Sequence, residues 1–334
     1  MLDFIASFYL PSRFRHLPDF VTSVALVALA SLPGCRRALP GRGEPHQPVA
    51  PWLHASLALV PAEARIVVAL DLERVRGSPI GKELAAGSGK LAGQLFEAFA
   101  TGTGIDLVEK ARQVLVAVPG ERLEDGRFVV VATFDGLDPT RASIWLRERQ
   151  DATSTAFVQG SDRLVIAKGA WAAQVSTLAK GQGFTASAED DPEFHRLCLR
   201  AAHDHVFWFA AVVPPALRHR LGDDIRLPDA ASVMRLQGSV SLGSDLRGEA
   251  LAELSNAPDA RSLAHRLNAY LSAAKRHPDV LAQGLAPYLE AVRLAARGPD
   301  VHASLELPAS QAADLAARIA DLVRAGLPTS YIVP

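Results

Sequence analysis

The chain has 334 residues, 49% of them hydrophobic, and 35 Lys+Arg against 36 Asp+Glu give it a net charge of −1. That length supports one large or two ordinary cores, and the near-neutral balance gives neither a basic field for nucleic acid nor an acidic one for cations, so no nucleic-acid partner is expected. Its 2 cysteines, Cys35 and Cys198, cannot make a disulfide framework, so packing must hold the fold.

The first informative stretch is Phe20 to Cys35, FVTSVALVALASLPGC. Its apolar segment, Val21 to Leu32, is well short of the roughly 20 residues that span a bilayer as a helix. Arg13, Arg15 and His16 before it and small residues after it give the layout of a secretory signal peptide, residues 1–35. Leu32-Pro33-Gly34-Cys35 resembles the lipobox of bacterial lipoproteins, with Pro33 departing from the usual small or aliphatic residue. The resemblance implies lipid attachment at Cys35, a membrane partner through that lipid, and export to the cell envelope. Arg36 and Arg37, with no aspartate at plus two, resemble the outer-membrane sorting pattern of two-membrane bacteria, which would leave the body facing the periplasm. A rival cleavage site, Ala28-Leu29-Ala30, would instead release a soluble periplasmic or secreted protein. With Cys35 acylated, Cys198 has no intramolecular partner.

Residues 36–54 carry Pro40, Pro45, Pro48 and Pro51 among glycines and read as a disordered tether. A first unit, 55–185, opens with the unalternating apolar run Ile66 to Leu70, the pattern of a strand covered on both faces. Ser78-Pro79 reads as the start of a helix broken at Gly87-Ser88-Gly89. Val114 to Val118 and Phe128 to Phe134 form a hairpin, Asp138-Pro139 starts a helix, Ala156 to Gln159 and Leu164 to Ala167 form a second hairpin, and a helix from Trp171 stops at Gly181.

A second unit, 186–334, follows the same plan. Asp191-Pro192 starts a short helix, Val206 to Val213 is a second unbroken apolar strand, and Val233 to Leu242 pairs with Leu246 to Leu254 as a hairpin. Ala260 to Ala274 and Pro278 to Arg297 read as helical, Val301 to Leu307 as an alternating strand, and Ser310 as the cap of a last helix. The expected class is α+β: two similar units, each an antiparallel sheet with helices packed on it, related by element order. Pro61-Ala62-Glu63-Ala64, a strand ending in Asp71, then Ser78-Pro79-Ile80-Gly81 resemble the opening of exported proteins of high-GC bacteria, mostly duplicated α+β lipoproteins of unknown function.

Candidate sites are few. Gly87-Ser88-Gly89-Lys90 lacks both the early glycine and the hydroxyl residue of a phosphate loop. His195, Cys198, His203 and His205 offer imidazoles and a thiol of the kind that bind zinc or copper. His203, Asp204 and His205 could also contribute to the dispersed site of a secreted hydrolase-type or metal-dependent enzyme. In Glu189-Asp190-Asp191 the last residue reads as an N-cap. Alternation in the second unit puts Arg235, Gln237, Ser239, Ser241, Arg247, Glu249, Glu253, His302, Ser304 and Glu306 on one outward side, a mixed-charge surface suited to an envelope protein partner. No G-x-S-x-G or H-E-x-x-H pattern occurs. The reading is a non-enzymatic exported lipoprotein with no cofactor, serving as a binding or scaffolding module.

Overall fold

A computed structural model of the chain describes residues 51–78, 110–120, 126–147, 153–181, 185–202, 205–218 and 228–324. The expected leader and Cys35, the helix after Ser78-Pro79 with its glycine break, His203 and Asp204 lie outside the described residues.

The first half contains α1 (Pro51–Leu57), β1 (Ala64–Asp71), α2 (Leu72–Gly77), β2 (Ala111–Pro119), β3 (Phe128–Phe134), α3 (Pro139–Arg147), β4 (Ser154–Gln159), β5 (Arg163–Lys168) and α4 (Trp171–Ala179). The second contains α5 (Pro192–Ala202), β6 (Phe207–Val212), β7 (Val233–Leu242), β8 (Asp245–Leu254), α6 (Ala257–Ala274), α7 (Pro278–Ala282), α8 (Ala286–Glu290), β9 (Arg293–Arg297), β10 (Asp300–Pro308) and α9 (Ala309–Arg324). The protein is α+β, and all the strands among the described residues join one ten-stranded sheet in the order β4-β5-β3-β2-β1-β6-β7-β8-β10-β9. Every neighbouring pair is antiparallel. Counted outward from the β1–β6 pair, both halves place their strands as first, second, third, fifth, fourth.

The registers sort side chains onto two faces. On the front face, Val165, Val131, Leu115, Ala69 and Trp208 lie in a row across β5, β3, β2, β1 and β6, beside Ala167, Val129, Ala117, Val67 and Ala210. Leu53 and Leu57 of α1, Trp171 and Val175 of α4, and Phe194, Leu197 and Cys198 of α5 close over them, making the main core. On the back face α3 packs Ala142 and Leu146 against Leu164 and Ile166. In the second half α6 covers Val301 and Leu254 with Leu263 and Ala264, and α9 seats Ala312 on Leu305 and Leu307.

Short polar devices set the helix ends. Asp71 caps α2 by accepting the Arg74 N–H at 2.9 Å, and Asp138 accepts those of Thr140 and Arg141 at 3.0 and 3.1 Å. Ser78 closes α2, its N–H reaching the Arg74 and Val75 carbonyls, and the helix expected to start after it lies outside the described residues. Three expectations are corrected. The tether does not extend to residue 54: proline is tolerated at the first position of a helix, and Leu53 and Leu57, four apart, bury one face of α1. Pro278 to Arg297 is not one helix. Gly284 at φ +65° stops α7, α8 is a single short turn, and Arg293–Arg297 alternates arginines outward with Leu294 and Ala296 inward as β9. The last helix begins at Ala309, so Ser310 lies in its first turn and does not cap it.

Gly238 of β7 fits the tight approach of Phe209, since a Cβ there would lie 2.4 Å from Phe209 Cε1 and 3.0 Å from the Glu249 carbonyl oxygen. Gly238→Val is therefore expected to cost about 1–3 kcal/mol through overpacking, read as a lower urea midpoint at unchanged slope. An unshifted midpoint would show that this face yields freely.

Candidate functional site

The chain enters the body through α1 and at once meets the junction between the halves. Residues 60–62 run alongside residues 186–188: the Ala62 N–H donates to the Ala186 carbonyl at 3.2 Å, the Ala188 N–H to the Val60 carbonyl at 2.7 Å, and Pro61 bridges Ser187. Ala188–Asp190 then forms one 3-10 turn whose Asp190 carboxylate accepts both the N–H and the hydroxyl of Ser187, at 2.8 and 2.9 Å. Asp191 caps α5 as expected, accepting the Glu193 and Phe194 N–H groups at 3.1 and 3.0 Å. This leaves Glu189 to point elsewhere. Its Oε1 lies 3.2 Å from His54 Nδ1 of α1, and the His54 ring meets that of His195 in a T-shaped contact with centroids 5.1 Å apart.

One ligand atom from each of His54, Glu189 and His195 falls within 4.8 Å of the others, and no other such trio of His, Cys, Asp or Glu exists among the described residues. His54 and Glu189 are about 40% and 37% exposed, so the cluster opens to solvent. Nε2 of His195 is shielded and has no hydrogen-bond partner among the described residues. Burial, reinforced by the neighbouring His54 charge and opposed by Glu189, holds the His195 imidazole below its ordinary pKa and so favours its neutral form.

The four metal ligands expected from sequence do not come together as a set. Cys198 is fully buried between α5 and the front face, and burial, with the Asp191 charge behind it, pushes its thiol far above the usual range. A thiol so placed is a small hydrophobe and no ligand. His205 bonds Ser241 Oγ through Nδ1 at 2.7 Å, and His203 lies outside the described residues. Of the three that are described, His195 alone sits in the cluster; His54 and Glu189 were hidden because one fell within a proline-rich stretch and the other within an acidic run that reads as helix capping.

The expected outward side is real in register and uneven in exposure. Arg235, Glu253 and Asp300 lie in one row across β7, β8 and β10, Gln237, Leu251 and His302 in the next, Ser239, Glu249 and Ser304 in the third, and Ser241, Arg247 and Glu306 in the fourth. Arg247, Glu249 and Glu306 are exposed, while Gln237 and His302 are half-buried. Ser239 and Ser304 are corrected to buried, their short side chains sunk in the ladder on either side of Glu249. The charges pair locally: Arg247 with Glu306 at 3.3 Å and Asp245 at 3.7 Å, and Arg235 with Glu253 and with Glu193 of α5.

No family model and no curated protein matches the chain. Among the solved structures similar to it are two crystal forms of one protein. The first, crystal form I of TP0453, is 10% identical at TM-score 0.40 and covers 80% of this chain and 96% of that one; crystal form III of TP0453 is 8% identical at 0.44, covering 80% and 97%. Likeness at this level carries no argument about activity. No helix among the described residues is long and apolar enough to cross a membrane.

Hydrogen bonds from Ser187 hold the Asp190 carboxylate below the usual range. A carboxylate depressed in the folded state stabilises fully above its unfolded pKa, near 4, and that contribution disappears as pH falls through the folded value. Asp190→Asn is therefore expected to lower stability most at neutral pH, with the gap to wild type closing in acid. A gap that does not change with pH in urea titrations would mean that the charge plays no part.

Proposed function

We propose that the chain is an exported, lipid-anchored, non-enzymatic module that binds a protein partner of the cell envelope through the front face of β7–β10. The observation that carries this reading is the different placing of equivalent helices. In the first half α4, which follows the fifth strand, packs on the front face; in the second half α9, in the same place in the chain, packs on the back. Arg247, Glu249 and Glu306 are exposed on the front as a result, although the sheet continues beneath them. The shared strand order of the halves supports origin by duplication of a five-stranded unit, after which one copy exposed a face that the other kept for its core.

The chemistry of that face favours a polar protein surface. Its cations and anions lie in cross-strand pairs, each worth little in water and easily exchanged for pairs with a partner. It offers no continuous basic stripe for phosphate. Export and attachment rest on Phe20 to Cys35, with Cys35 carrying the lipid and the proline-rich segment behind it giving the body reach.

The test is in-cell photocrosslinking from positions 249 and 306, with position 144, an exposed site on α3 at the back, as control, alongside palmitate labelling of wild type and Cys35→Ala. A discrete adduct from 249 and 306 and none from 144, on a chain labelled only when Cys35 is present, is the expected result. Equal adducts from all three positions would remove the binding face, and an unlabelled wild type would remove the anchor.

A further inference from the structure

We propose that His54, Glu189 and His195 form a binding site for a divalent transition metal of the zinc class, which would clamp α1 to the junction between the halves. Two imidazoles and a carboxylate are a donor set for zinc and its neighbours, not for calcium or magnesium, which take oxygen ligands. Zinc bonded to nitrogen and oxygen at about 2.0–2.2 Å in a tetrahedron sets its ligand atoms roughly 3.3 Å apart. The His54 Nδ1 to Glu189 Oε1 distance of 3.2 Å already matches that edge, and the third ligand atom lies within 4.8 Å of both, inside the reach of a side-chain adjustment.

The surroundings agree with this assignment. His195 Nε2 is shielded and has no hydrogen-bond partner among the described residues, which leaves its lone pair open to an ion. The backbone bonds between residues 60–62 and 186–188 and the Ser187–Asp190 box fix the two segments that bring His54 to Glu189, 135 residues apart in the chain. His54 and Glu189 are open enough for an ion to enter and for water to fill the fourth position. A plain ion pair would need only His54 and Glu189. The second ring, packed edge-on against the first, is the additional feature that a metal site explains.

The experiment uses the purified full chain, stripped with a chelator and titrated with zinc alone by equilibrium dialysis, with cobalt as a spectroscopic substitute and magnesium as control. The expected result is one tightly held zinc per chain, a melting temperature that climbs with zinc concentration, and visible absorption from tetrahedral cobalt. His54→Ala, which removes a partly exposed side chain, should weaken zinc binding more than 100-fold, beyond the 10–100-fold that losing an outer-shell partner costs. It should also abolish the zinc-dependent rise in melting temperature while leaving the circular dichroism unchanged. Glu189→Gln should weaken binding while keeping the fold, guarding against loss through misfolding. Sub-stoichiometric binding by wild type, or unchanged affinity in folded His54→Ala, would overturn the assignment.

Discussion

The pairing of β1 with β6 is the constraint on which the rest of the molecule depends. Five residue pairs, from Ile66 opposite Ala211 to Leu70 opposite Phe207, join the first strand of one half to the first strand of the other. Without that seam there would be two five-stranded sheets, each with an open edge of unpaired backbone groups. With it, the edges left open are those of β4 and β9. Trp208 stands opposite Ala69 and Ala210 opposite Val67, so large meets small across the ladder at the front core. The cost is the closure of a long loop, since these strands are far apart in the chain.

The proposed metal site and the proposed binding face both follow from how the chain passes that seam. The segment entering β1 and the segment leading through α5 to β6 must lie side by side, and their contact gathers His54, Glu189 and His195. From the seam outward the strand order is the same in both directions, while the last helix of each half takes opposite faces. One face is thereby consumed as core on one side and left polar on the other. In the proposed function, a single sheet then provides both the rigid body and the binding surface.

The strands were largely legible because their two patterns are physical opposites. Ile66 to Leu70 and Val206 to Val213 run apolar without a break because both faces are covered; Val233 to Leu242 and Val301 to Leu307 alternate because one face is not. The α+β class and most hairpins follow from that. β9 was hidden because Arg-Leu-Ala-Ala-Arg suits a helix as well as a strand, and only the partner strand β10 decides it. The merging of the halves into one sheet was beyond local pattern, since β1–β6 pairing is set by tertiary contact. The cluster at the junction was illegible for the same reason: sequence spacing relates residues on one element, whereas His54 and His195 sit on two helices brought together by the fold. Cys198 misled because three-residue spacing from His195 implied a shared helix face, but its thiol packs into the core.

Native-state hydrogen exchange across β1 and β6 in low denaturant tests the central claim most directly. If the seam unites the halves, the amides of both strands exchange only through global unfolding, with the same free energy and the same dependence on denaturant as the whole chain. Exchange of β6–β10 as a block, at lower free energy and smaller slope than β1–β5, would show two halves that unfold separately, and would contradict it.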